Sequence, residues 1–202
     1  MQTRNPAGDA NDDDFFLFSE LDMFPSEVDI LVTSVYESTI DGIELLDKQK
    51  RPEIKARNID SDLAAQQEGW WDSQVQAMKY HAGNMGLVSL VSLFENWRER
   101  RVEKGKRKSR FEFVNSLPGT PLTKSELEDM VTARNSIIHH RDKAEFEYGR
   151  KLYTVNDRFL DFDNPLQERR VAVDGSLLTE LASKLKSFVN LWNQQKRHSR
   201  NL

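Results

Sequence analysis

The stretch TKSELEDMVTARNSIIHHRD, residues 123–142, decides how this chain folds. Thr123 or Ser125 can cap a helix. Thr123 followed three residues later by Glu126 also fits a capping box, in which each side chain accepts a hydrogen bond from the other residue's backbone N–H. At about 100° per residue, with Leu127 set at zero, Met130, Val131, Ile137 and Ile138 fall within about 80° of it. These residues form one apolar stripe, the pattern of a helix laid against a core. Arg134 lands about 20° from the stripe's origin, in the middle of that face.

Helical periodicity extends outward in both directions. Ser26, after Pro25, reads as an N-cap, and Val28, Leu31, Val32, Val35, Ile40, Ile43 and Leu46 follow at helical spacing. Arg51-Pro52 is expected to end this first helix, because proline lacks the donor and disfavours the α region before it. A linker or short helix is expected through Gly69. A long helix then runs from Trp70 to Trp97, with Gly83 or Gly86 as places for an interruption. The charged run after it, RERRVEKGKRKSR, is expected to unwind around Gly105.

Pro118-Gly119 and Pro121 mark a turn. Residues 146–174 alternate aromatic and charged groups between turn formers, and Lys151–Val155 with Arg169–Val173 reads as a strand pair. Ser176 to Gln195 returns to a helical pattern. The fold expected is mostly α: an antiparallel helical bundle with a small β-hairpin excursion before the C-terminal helix.

At 202 residues, with 38% apolar and 31% charged, the chain has the material for one core. Residues 1–14 are polar and acidic without periodicity and are expected to be a disordered tail, leaving 15–202 as a single helical domain. No stretch approaches the roughly 20 apolar residues that span a bilayer, and MQTRNPAGDANDDD lacks the apolar core of a secretory signal. A cytoplasmic protein is expected. Zero cysteines exclude disulfides, thiolate catalysis and cysteine-based zinc sites. The net charge of −4 argues against a uniformly basic nucleic-acid coat, yet basic residues crowd Arg98 to Arg110 and the C-terminal Lys196, Arg197 and Arg200.

The chemistry lies in TARNSIIHHRD, residues 132–142. A guanidinium on a core face cannot shed its charge, so a buried partner or a ligand must meet it. Asn135 and His139 are four apart and share one flank of the helix, beside the edge where Arg134 emerges. Arginine can hold a phosphate through its planar fork of donors, and histidine can move a proton near neutral pH. This set suits metal-free phosphodiester cleavage in RNA, where the 2′-hydroxyl is the attacking group.

Arg134-Asn135-Ser136-Ile137-Ile138-His139 resembles the motif of the HEPN superfamily: an arginine, four to six residues, then a histidine, with a polar residue typically after the arginine. The resemblance covers the fold of roughly residues 26–200, while about six positions carry the motif. It implies a helical bundle with Arg134, Asn135 and His139 catalytic and no cofactor, His140 also fitting the spacing. It implies a homodimer whose two motifs line one cleft. Many members are metal-independent endoribonucleases acting as toxins or defence effectors, so an antitoxin or regulatory partner is an expectation too. Others have lost the motif and serve as binding modules, whereas this chain retains it.

Plainer readings stand beside these. Arg134 could form a structural ion pair with a carboxylate such as Glu95 or Glu44, and His139 and His140 could simply cap a helix C-terminus. Arg98, Arg101, Lys104, Lys106, Arg107 and Lys108 could track an RNA backbone or form a solvated helix end. Trp70, Trp71 and Trp97 could stack bases or fill a core. No histidine has a glutamate three positions before it, which excludes a di-iron bundle site, and with four histidines no metal site is expected. Two functions lead: a ribonuclease cutting RNA, or a catalytically silent helical dimer that binds a nucleotide or a protein partner through Arg134 and His139. A third reading, a purely structural bundle, survives only if Arg134 is paired and shielded.

Overall fold

Thr123 does cap the decisive helix. Its side chain accepts the Glu126 N–H at 3.1 Å, and the Glu126 carboxylate accepts the Thr123 N–H at 3.0 Å, completing the capping box. The computed structural model describes residues 23–56, 60–101, 111–160 and 169–200. Within them α1 is Ser38–Ala56, α2 is Ser61–Arg101, α3 is Lys124–His140, β1 is Glu145–Tyr148, β2 is Lys151–Thr154 and α4 is Gly175–Arg200. Residues 23–29 are α-helical and Ile30–Glu37 is π-helical, leading straight into α1. The expected acidic tail, 1–14, lies outside the described residues.

Several expectations need correction. Ser26 sits inside a helix already running at residue 23, so it is not an N-cap. Pro52 does not end the first helix but lies within α1. Only one turn follows it, so few backbone bonds are at stake. Arg51, the residue that proline should push out of the helix, is tied to Asp47 at 2.9 Å and to Asp72 of α2 at 2.8 Å.

The linker or short helix expected before Gly69 is neither a linker nor separate: from Ser61 it is part of α2, whose 41 residues make a rod of about 60 Å. From 61 to 82 no α2 residue is buried, and in α1 only Ile43 is. These two segments run antiparallel as an arm. Polar contacts hold it: the Trp71 indole N–H donates to Asp47 at 2.7 Å, and Lys79 meets Glu44 at 3.3 Å. A narrow apolar seam runs along it as well: Trp71, Val75 and Met78 of α2 and Ile40, Leu46 and Ile54 of α1 are half-buried, and Ile43 is buried.

The second half of α2 is the centre of the core. Leu87, Leu90, Val91, Phe94 and Trp97 are buried against Val28, Met130, Leu181, Leu185 and Phe188. Phe94 stacks on Trp97 at 5.4 Å between ring centroids and meets Phe188 edge-on at 5.9 Å. Trp97 is therefore a core residue, 6% exposed, and cannot stack a base; Trp70 is 63% exposed.

Gly83 and Gly86 do not interrupt α2. They let other chain segments approach it: a Cβ on Gly83 would lie 1.7 Å from the Val173 carbonyl oxygen, and one on Gly86 would lie 2.6 Å from Leu178 Cδ2. Next to Gly83 the buried Asn84 donates to the Val171 carbonyl at 2.9 Å and accepts the Val173 N–H at 3.1 Å. This amide pins residues 171–173 to the helix.

The hairpin precedes the C-terminal helix as expected, but its strands are different. β2 pairs antiparallel with β1, not with Arg169–Val173, in the register Phe146 with Tyr153 and Tyr148 with Lys151. The loop is Gly149-Arg150, and Gly149 takes φ 66°, the left-handed conformation that primed hairpin turns need. Residues 169–173 instead make isolated bridges, Lys143 with Arg170 and Leu160 with Val171. Among the described residues no helix is long and apolar enough to cross a membrane.

The glycines predict opposite outcomes for one kind of substitution. Gly83→Ala must displace backbone and should cost about 3 kcal/mol or more in urea unfolding. Gly69→Ala, with nothing within 4 Å of the new methyl, should gain up to about 1 kcal/mol. Equal effects at both positions would contradict the close approach at Gly83.

Candidate functional site

The site is built around the end of α3. The helix stops because Arg141 and Asp142 take φ 55° and 63°, a left-handed pair without glycine. Each such residue costs roughly 1–2 kcal/mol, so its neighbours must hold it. Both N–H groups turn back to the Ser136 carbonyl, the Asp142 bond measuring 3.3 Å. The buried Ser136 hydroxyl donates to the Lys143 carbonyl, and the Asp142 carbonyl accepts the Val171 N–H at 2.8 Å. Burial pushes the Asp142 carboxyl above its ordinary range, against the pull of His81, Arg170 and the Asn84 amide.

Arg134 faces α2, where its Nη2 donates to the Glu95 carboxylate. Both side chains are largely shielded, 15% and 14% exposed. Of the two carboxylates named from the sequence, Glu95 is the partner, while Glu44 belongs to the arm and pairs with Lys79. Nε of Arg134 is also buried and has no hydrogen-bond acceptor among the described residues. The pair neutralises the guanidinium without using up its fork.

His139 is exposed, one turn beyond Asn135 on the same flank. His140 is half-buried and stacked on Phe146 at 4.4 Å between ring centroids, with its Nε2 buried and unpartnered. The geometry distinguishes two histidines that spacing alone could not: the His140 ring is a packing surface, and the His139 ring is open. Ile138, expected on the buried stripe, is 47% exposed because the last turn of α3 runs past the core.

Arg98 and Arg101 are half-buried at the end of α2, Arg98 lying 3.6 Å from Glu99. Arg101 lines a cavity of about 220 Å³ beside Phe24 and Trp97. Lys104, Lys106, Arg107 and Lys108 lie outside the described residues.

Residue reasoning missed the hairpin's part in the site. Strand alternation puts Phe146, Tyr148, Lys151 and Tyr153 on one face, and Phe146 and Tyr148 meet His140 and His139 of α3 there. The Tyr148 ring lies 6.1 Å from the His139 ring. Between this face and the α3 flank of Glu128, Val131, Thr132 and Asn135 is a groove of about 490 Å³, also lined by Phe111. The signal was in EFEYGRKLYT, residues 145–154, which alternates on both sides of a glycine turn. Among the described residues no group of three or more histidines and carboxylates is placed to hold a metal ion.

Comparison of the chain with protein-family models, with curated proteins and with solved structures finds no match in any of the three. The chemical argument therefore rests on the geometry. An accessible imidazole can transfer a proton, a guanidinium with donors to spare can bind an anion, and the groove beside them has the size of a small-ligand site.

The Arg134–Glu95 pair should be measurable by a double-mutant cycle in urea, with Arg134→Met, Glu95→Gln and the two combined. A coupling energy of about 1–3 kcal/mol is expected for a shielded, charge-assisted bond. Strict additivity would place Arg134 away from Glu95 in solution.

Proposed function

We propose that this chain is a metal-independent endoribonuclease of the HEPN type, working as a toxin or phage-defence effector. The observation that carries the reading is Arg134: shielded, fixed by Glu95 on one nitrogen, left with a buried donor unpaired, and followed five residues later by an exposed His139. A purely structural arginine tends to have its donors satisfied; the Arg134 Nε–H is buried, so in this reading the side chain shifts to present it to a phosphate. The mostly helical fold supports the reading as a HEPN-like bundle.

In this account His139 acts as general acid or base, Arg134 holds the scissile phosphate, and Asn135 positions one of them or contacts the substrate. The ribose 2′-hydroxyl loses its proton and attacks phosphorus, the bond to the 5′ oxygen breaks, and that oxygen takes up a proton. The products are a 2′,3′-cyclic phosphate and a 5′-hydroxyl. His139 can serve either transfer, and Arg134 stabilises the charge that builds on the phosphoryl oxygens. Two copies would pair so that both motifs face one cleft, and an antitoxin or regulatory partner would hold the activity in check.

One observation favours a second reading. Glu95 gives Arg134 a carboxylate inside the protein, the arrangement of a structural ion pair. Arg134 would then be structural, and the chain a purely structural bundle or a catalytically silent module whose partner does not depend on that arginine.

Incubation of purified protein with a total RNA pool in EDTA separates the two. The ribonuclease reading expects cleavage that survives the chelator, leaves 2′,3′-cyclic phosphate ends, and falls at least 100-fold in Arg134→Ala and His139→Ala, the order of a lost proton-transfer or anion-stabilising group (roughly 10²–10³). Intact RNA with all three folded proteins would favour the binding module.

A further inference from the structure

The geometry points to the groove between α3 and the hairpin as a binding site for single-stranded RNA, with Tyr148 stacking a base and Lys151, held over Tyr153, meeting the backbone. The inference rests on the ribonuclease reading for its location and names the form of substrate that the site takes.

Three observations carry it. First, Tyr148 is 61% exposed at the rim, although a tyrosine in a hairpin this close to the core could pack inward as Phe146 does. Its ring stands 6.1 Å from His139, so a base stacked on it would bring its neighbouring phosphate to the open imidazole. Second, Tyr153 stacks on buried Phe146 at 5.4 Å between centroids, and Lys151 Nζ lies 5.0 Å from the Tyr153 ring. The Tyr153 ring is thereby fixed between Phe146 and the Lys151 ammonium, which sets a cation in the groove next to the open Tyr148 face, a combination that holds unpaired nucleotides with little regard to sequence. Third, the opposite wall is polar where a base edge would arrive: the Asn135 amide can donate and accept, and the Thr132 hydroxyl, which donates to the Glu128 carbonyl at 2.8 Å, can accept.

The charges agree with this direction. Glu128, the carboxylate on the α3 wall, lies 3.8 Å from Lys124, which offsets it. The cation of the groove, Lys151, is across the turn from Tyr148 in the hairpin register, near the His139 end. The base therefore belongs on Tyr148 at the hairpin tip, and a phosphate at the Lys151 ammonium over Tyr153. A paired base presents no free face to Tyr148, so duplex RNA cannot make these contacts.

The test uses the full chain and a fluorescein-labelled 12-nucleotide RNA, 2′-O-methylated so that no cleavage can occur, with anisotropy as the readout. The strand is compared with its own duplex, and wild type with Tyr148→Ala, Tyr148→Phe, Lys151→Ala and Leu152→Ala. Leu152 is 64% exposed on the other face of the hairpin. The single strand should bind more tightly than the duplex. Tyr148→Ala should weaken it about tenfold while Tyr148→Phe keeps it, since stacking needs the ring and not the hydroxyl. Lys151→Ala should weaken it and flatten its salt dependence, with Leu152→Ala unchanged. Equal binding of duplex and strand, no binding of either, or equal losses in Tyr148→Ala and Leu152→Ala would overturn the proposal. Because the probe cannot be cut, binding here with no cleavage of ordinary RNA would count against the ribonuclease alone.

Discussion

Much of this molecule depends on one buried amide. Asn84 is 2% exposed in the middle of α2, so its donors and acceptor have to find partners inside the protein. It finds them on Val171, on Val173 and on the Asp142 carboxyl. Those bonds fix the strand-like segment before α4 and the residue just past the end of α3. Val171 in turn bridges Leu160 and bonds the Asp142 carbonyl, and Ala144 bonds Val155 behind the hairpin. The left-handed exit of α3, the angle of the hairpin and the openness of His139 all follow from where this amide ties the chain down. Gly83 makes the tie possible by letting the backbone at Val173 touch the helix.

The Arg134–Glu95 pair is the second constraint, and it acts on chemistry more than on folding. A lone guanidinium on that face would oppose the burial of Met130 and Val131 beside it, and a fully satisfied one would be inert. What the structure holds lies between: charge balanced by one carboxylate, geometry fixed, and a donor left over. The exposed His139, the half-buried Asn135 and the tyrosines of the hairpin lie around the same end of α3, so one short stretch of chain gathers the groups that phosphodiester chemistry calls for.

Local rules were legible in the sequence, and long-range ones were not. The capping box at Thr123 and Glu126, the stripe through Leu127, Met130 and Val131, and the helix after Ser176 each depend on residues a few positions apart, and each was readable. Glu95 could be named beforehand only as one of two carboxylates, because helix spacing says which face Arg134 occupies but not which helix comes to meet it. Pro52 and the polar run before Gly69 misled for a common reason. The arm is held by ion pairs across two helices and by a narrow, half-buried apolar seam that starts only at Trp71, so residues 61–69 carry little apolar signal and Pro52 marks no stop. The strand at Lys151 was correctly read but wrongly paired, since the alternation at Phe146 and Tyr148 and the turn at Gly149 were passed over for a more distant partner. That choice also hid Tyr148 and Tyr153 from the candidate site.

The central claim is that Arg134, while held by Glu95, still has a donor free to bind phosphate. The most direct test is the Nε–H resonance of Arg134 in a ¹⁵N–¹H spectrum, assigned by its loss in Arg134→Lys, followed while 2′-O-methylated RNA is added. The account predicts that this resonance moves saturably with the RNA, together with the ring signals of His139. If the hairpin amides respond to RNA while the Arg134 Nε–H stays where it was, the arginine is a structural ion pair and the account is wrong at its centre.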